Sequence, residues 1–361
     1  MEVIPIEQRI NNLKNLFNES NLEAALIYKP ENRRYFSGFT GTSGYVLITK
    51  DKNYFLTDFR YVEQAKNQCR AYDILKFDNN SKGNSLYDII EKLNVRKIGF
   101  ESEFITLKEY ETLKNKISNT DFIPIDDEIK DLRKIKDSIE VEYIRKAASI
   151  ADEAFAHICS FIKPGITERD IAIELEFFMK KRGATELSFD SIVASGKRSA
   201  LPHGVYTDKI IENGDFITLD FGCVYEGYCS DMTRTIVVGK ANEKQKEIYN
   251  IVLEAQKRAL ENIRPNVECS KIDKIARDYI SEKGYGEYFG HGLGHGVGME
   301  VHESPRLSPV SSDILKPNMV VTDEPGIYVP QFGGVRIEDL VVVTNEGHEV
   351  LSKSPKELIE L

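Results

Sequence analysis

Asn213-Gly-Asp-Phe-Ile-Thr-Leu-Asp220-Phe-Gly222 reads as a turn, an apolar strand and a carboxylate two residues before a glycine. Pro317-Asn-Met-Val-Val-Thr-Asp-Glu324-Pro-Gly326 repeats that order. In each case a second carboxylate opens another β run: Asp231 lies 11 residues after Asp220, and Glu338 lies 14 after Glu324. A duplicated half-domain would set these four acids symmetrically around one cleft. Chance likeness between turn–strand–turn units explains the echo equally well, and the letters alone leave both readings open.

The surrounding chain is long enough for more than one core. At 361 residues two domains are expected. Upstream, helical spacing at Glu7–Asn18 is followed by strand-like Ala24–Tyr28, Gly44–Ile48 and Tyr54–Thr57. Helices over Asp58–Lys66 and Leu86–Leu93 then alternate with strands at Tyr72–Phe77 and Lys97–Phe100. That alternation predicts an α/β domain over residues 1–127. The densely charged run from Asp126 to Glu142 reads as a linker, placed at 128–138, entering a helix. Over 139–361, helices are predicted at Ser138–Phe161, Glu168–Arg182, Glu243–Asn262 and Cys269–Lys283. Strands are predicted at Phe216–Phe221, Thr233–Val238, Val320–Glu324 and Val335–Thr344. Helices segregated from an antiparallel sheet make this half α+β.

Asp220, Asp231, His295, Glu324 and Glu338 carry the chemistry. An oxygen-rich set with one imidazole suits manganese, magnesium or similar ions better than structural zinc, which favours Cys and His. Two such ions about 3.5–4 Å apart make a nucleophile of water at neutral pH and polarise a carbonyl, which points to a hydrolase. A hairpin through Tyr225-Glu226-Gly227 would bring Asp220 and Asp231 to one end of a sheet. Asp is also an ordinary turn residue, and taken alone these two positions read that way more readily.

Phe289-Gly-His291-Gly-Leu-Gly-His295-Gly-Val-Gly-Met-Glu-Val-His302-Glu-Ser-Pro305 shifts the balance. Half of the six histidines fall within 12 residues, among five glycines that permit close approach of backbone and ligand. A phosphate cradle is disfavoured, because neither GxxxxGK[ST] nor GxGxxG spacing is present. His157 and His348 have no neighbouring partner for acid–base work and read as structural or solvated. Arg336 precedes Glu338 by two residues, on the same strand face, where it could hold that carboxylate or form a surface ion pair of little worth.

A net charge of −10 argues against nucleic acid or an anionic membrane as partner. Polar residues among the first twenty speak against a secretory signal, and no apolar run approaches the roughly 18 residues of a bilayer span. The five cysteines lack a CxxC pair and read as reduced thiols of a cytoplasmic protein, Cys223 and Cys229 included.

HGLGHGVGMEVHESP, DEPG and VRIED together resemble the pita-bread metallopeptidases, in their aminopeptidase P and prolidase branch. Asn32–Gly41 resembles their creatinase-like N-terminal domain. The resemblance implies a dinuclear site ligated by Asp220, Asp231, His295, Glu324 and Glu338, with manganese foremost and cobalt or zinc as alternatives. It implies Glu324 as general base, His302 at the scissile carbonyl, His203 near the substrate and His291 lining the proline pocket, with Arg336 among the substrate-binding residues. Proline-containing peptides or dipeptides are the implied substrates, and a homodimer the implied assembly. Methionine aminopeptidases usually lack the extra domain, and creatinase lacks the ligands. A non-catalytic binding module of the same fold is the rival from another class. A serine hydrolase is disfavoured by the absence of GxSxG.

Overall fold

The computed structural model describes residues 5–80, 83–117 and 119–361. Two compact units divide between Arg133 and Lys134. The first is a six-stranded mixed sheet in the order Asp73–Lys76, Asn53–Thr57, Tyr45–Thr49, Ala24–Ile27, Lys97–Phe100, Asp121–Pro124. Ala24–Ile27 pairs antiparallel on one side and parallel on the other, and all four of its residues are buried. Such a strand is necessarily a continuous apolar run.

Three expectations change here. The helix predicted from Asp58 begins only at Val62. The Asp58 carboxylate accepts from the Arg60 backbone N–H at 3.0 Å, a local turn that competes with the first helical turn. The charged stretch predicted as linker is helical over Asp126–Lys134, with Ile129 and Arg133 buried. Helices at Pro30–Ser37 and Leu107–Lys116 were not predicted. The first opens on Pro30, whose fixed φ suits the first helical position.

The second unit resolves the echo in favour of duplication. Its first half is the helix pair Ser138–Phe161 and Glu168–Lys181, followed by strands Ile192–Ser195, Phe216–Phe221 and Met232–Val237. Its second half is the helix pair Glu243–Leu260 and Cys269–Glu282, followed by Gly294–Gly296, Val320–Asp323 and Asp339–Val343. In both halves the middle strand of the three lies antiparallel between the other two. The joints match as well. Gly165 and Asn266, after Lys163-Pro164 and Arg264-Pro265, both hold positive φ (98° and 66°). Their N–H groups donate to Ile211 O and Leu315 O at 3.0 and 2.8 Å. Gly214 and Asn318 then take positive φ at the turns into the two middle strands.

Each helix pair covers its own strands. Ile150, Phe155, Ile171 and Leu175 share a core with Ile217, Leu219 and Ile236. Ile248, Val252, Ile272 and Ala276 share another with Val321, Val335 and Val341. Side chains on the opposite strand faces are left to build a site. The predicted single strand Val335–Thr344 is two strands, Gly333–Arg336 and Asp339–Val343, pairing with different partners. The break falls on Ile337 and Glu338.

Gly222 closes the Asp220 strand where it meets the returning chain, and a Cβ there would lie 1.9 Å from the Ser230 carbonyl oxygen. Backbone cannot yield as a side-chain tip can. Gly222→Ala is expected to destabilise the unit by about 2 kcal/mol or more, or about 5 °C in Tm, measured by thermal unfolding.

Candidate metal centre

All nine residues singled out from the sequence line one cavity of about 660 Å³. The hairpin carrying the two aspartates forms as predicted, with Glu226 and Gly227 both at positive φ (48° and 80°) in the tight turn. Asp220 sits opposite Thr233 on the return strand, and Asp231 immediately precedes that strand.

Glu338 comes from the other half and is seated by Thr233. Its backbone N–H donates to Thr233 O at 3.1 Å, and Thr233 Oγ1 donates to Glu338 Oε2 at 2.7 Å. His295 is aimed by two contacts. Its backbone N–H donates to Thr322 Oγ1 at 3.0 Å, and its Nδ1 lies 3.1 Å from Gly296 O. Nδ1–H donates to that carbonyl, which turns Nε2 toward the acids. Nε2 faces Glu324 Oε1 at 3.2 Å and Asp231 Oδ2 at 3.6 Å. Thr322 Oγ1 also donates to Glu324 Oε1 at 3.1 Å. Ligand atoms of Asp231, His295 and Glu338 all lie within 4.8 Å of one another.

Arg336 serves Asp220 instead of its strand neighbour Glu338. Its guanidinium bonds the Asp220 carboxylate, Tyr328 Oη at 2.8 Å, Thr233 Oγ1 at 3.1 Å and Pro202 O at 3.1 Å. The strand break at Ile337 removes the shared face that alternation implied. His291 is fixed through Tyr328, with Nε2 at 2.9 Å from the phenol and Nδ1 at 2.8 Å from Gly292 O. His302 stands beside His295 with ring centroids 4.3 Å apart. His203 is an exposed wall residue.

The electrostatics of this cluster favour a cation. Burial, then the charges of Glu338, Asp220 and Glu324, push Asp231 well above the usual carboxylate range. Burial, with Glu324 and Asp220 nearby, does the same to Glu338. Burial also opposes ionisation of Glu324, but the His295 hydrogen bond and the charges of His295, His291 and Arg336 hold it down at about 2. Asp220 Oδ1 and Glu338 Oε1 are buried and take no hydrogen bond from the described residues. Oxygens without donors, in a cluster whose carboxylates repel one another, are what a hard divalent ion satisfies. The residue set therefore fits divalent metal ions.

A buried network fixes the strands from behind. Asp323 and Asp339 lie directly opposite each other, and Gln256 Nε2 donates to both, at 3.1 and 3.0 Å. Lys356 and Arg234 neutralise Asp339 at 2.6 and 2.8 Å. Tyr328, Thr233, Thr322 and Gln256 escaped the sequence reading. Thr233 had the one usable signal, a polar residue two positions after Asp231 and so in step with it along the chain.

This is the architecture of a carboxylate-rich metallohydrolase on a duplicated α+β unit. Residues 142–345 match the family described as metallopeptidase family M24, and residues 9–135 match the creatinase/prolidase N-terminal domain. The chain belongs to metallopeptidase family M24. It is 45% identical over 356 residues to the Xaa-Pro dipeptidase of Pyrococcus furiosus, covering 98% of this chain and 100% of that one. Among solved structures it resembles a Xaa-Pro dipeptidase from Bacillus anthracis (TM-score 0.95, 51% identity, 99% and 100% covered). It also resembles an X-Pro aminopeptidase from Thermotoga maritima (TM-score 0.88, 41% identity, 94% and 98% covered). The pita-bread, two-domain α+β expectation holds. Among the described residues no helix is long and apolar enough to cross a membrane.

Thr233→Val keeps the side-chain volume but removes the hydroxyl that seats Glu338 and Arg336. Divalent-ion affinity, measured by calorimetric titration with manganese, is expected to fall about 10–100-fold.

Proposed function

We propose that this enzyme hydrolyses the bond before proline in Xaa-Pro dipeptides, with Asp220, Asp231, His295, Glu324 and Glu338 holding two divalent ions. The observation that carries the reading is the convergence of all five on one cavity with His203, His291 and His302. Bound ions would supply Lewis acidity toward water and the scissile carbonyl. The chain's own groups do the rest. Glu324 takes the proton of the attacking water and delivers it to the proline nitrogen as the C–N bond breaks. Desolvation by the cavity wall, helped by the nearby charges of His295 and Arg306, lowers His302 to about 4, so its imidazole is neutral and offers an N–H to the developing oxyanion. Asp220, held by Arg336, faces the substrate amine, and His203 closes the wall beside it.

A tertiary Xaa-Pro amide has no N–H, so the substrate is oriented by its termini. A dipeptidase needs a cation for the proline carboxylate, and Arg306 meets that need. It lies directly opposite His295 across paired strands, which puts both side chains on the cavity face. Among the described residues no acidic group pairs with it. The rival reading as a silent binding module gains nothing from the relatives. Manganese as native metal, a homodimer and cytoplasmic residence belong to the same proposal, and metal analysis with sedimentation equilibrium tests the first two.

Glu324→Gln is expected to lower kcat by roughly 10²–10⁴-fold. Near-normal turnover would end the assignment. Arg306→Ala is expected to raise KM for Ala-Pro about tenfold or more while leaving Ala-Pro amide nearly unaffected. Preference for Ala-Pro-Ala over Ala-Pro in the manganese-loaded enzyme would instead make it an aminopeptidase.

A further inference from the structure

The cavity carries a second open charge that the proposed reaction does not use. Phe189 and Asp190 form part of its wall just ahead of the strand Ile192–Ser195. Ile192 lies directly opposite Asp220 and is bridged to Val205, so this wall flanks the Asp220 side of the centre. Arg306 stands on the other side, opposite His295. Asp190 is exposed, and among the described residues no hydrogen bond or ion pair occupies its carboxylate.

The orientation of a dipeptide follows from these positions. With the proline carboxylate at Arg306, the residue before proline projects toward the wall of Phe189, Asp190, Ile192 and Val205. Three of these side chains are apolar, and the fourth ends in an unpaired carboxylate. A long aliphatic stem tipped by a cation matches that order, since Lys and Arg bury their stems while keeping the charge in water. An acidic side chain would meet repulsion there.

We infer that Asp190 is a specificity-determining residue that selects a lysine or arginine before proline, by pairing with its terminal charge above an apolar wall. This rests on the Xaa-Pro reading given above. Because Asp190 is open to solvent, its effect is that of a screened ion pair, about fivefold.

The test uses the full-length, manganese-loaded enzyme with Lys-Pro, norleucyl-Pro and Glu-Pro. Norleucine keeps the stem of lysine and drops the charge. The readout is the ratio of kcat/KM between substrates, so a general loss of activity cancels. Wild type is expected to favour Lys-Pro over norleucyl-Pro and to take Glu-Pro worst, with the first preference weakening as salt is raised. Asp190→Asn is expected to cut the Lys-Pro to norleucyl-Pro ratio about fivefold, and Asp190→Lys to place Glu-Pro above Lys-Pro. An unchanged ratio in both variants, or a wild type without the lysine preference, overturns the inference while the peptidase assignment stands. An equal fall for both substrates in Asp190→Asn also overturns it, placing the carboxylate on the shared α-ammonium. Failure of the wild type to cleave any of the three dipeptides overturns the Xaa-Pro reading and this inference with it.

Discussion

Mutual repulsion among four carboxylates, three of them buried, is the constraint around which the second unit is organised. Asp220, Asp231 and Glu338 are each less than a tenth exposed. Like charges at such depth oppose folding unless something of opposite sign or a proton relieves them. The chain supplies partial relief through Arg336 on Asp220 and His295 against Glu324 and Asp231. Thr233 and Thr322 add hydroxyls that fix geometry without changing charge. The balance is left for ions to complete, so stability of this unit and occupancy of the site are thermodynamically linked.

Duplication is how the fold gathers the acids economically. One helix-pair-and-three-strand unit, used twice, places a carboxylate at the end of each middle strand and another beside each third strand. Asp220 and Glu324 are equivalents, as are Asp231 and Glu338. The halves then diverge around that frame. Only the second brings the glycine-rich His291–His302 segment, whereas the strand break at Ile337 and Glu338 is matched in the first half by Ser230 and Asp231, between Tyr228–Cys229 and Met232–Val237. Gly294 shows why glycine is needed, since a Cβ there would lie 2.1 Å from the Thr322 carbonyl oxygen.

Much of this was legible in the letters, for identifiable reasons. The long catalytic helices have caps and strong apolar periodicity: Asp137 and Thr167 each accept from backbone N–H groups at the helix start. The five candidate ligands stood out because Asp220 and Glu324 each close an apolar strand two residues before glycine, Asp231 and Glu338 follow at like spacing, and His295 lies between two glycines. Arg336 was misread because strand alternation was extended across a break that only sheet pairing reveals. The Asp58 helix failed through side-chain competition for backbone N–H groups. Tyr328 and Gln256 left no trace, as each acts through a partner distant in sequence. The echo of the two half-domains was visible, yet its proof lay in positive-φ residues and cross-strand pairing.

The site's polarity connects these points to substrate choice. Proline denies an enzyme the backbone N–H by which a strand-like substrate is usually gripped, so recognition moves to charges at the ends of a short ligand. Arg306 and Asp190 stand on opposite walls, while the acid cluster between them loses its net negative charge as cations or protons fill it. An empty cluster would present its own excess negative charge to the substrate and would compete with Asp190 for any ammonium group. On the proposed reading, cations held by the cluster would also unmask the weaker field by which the outer wall discriminates.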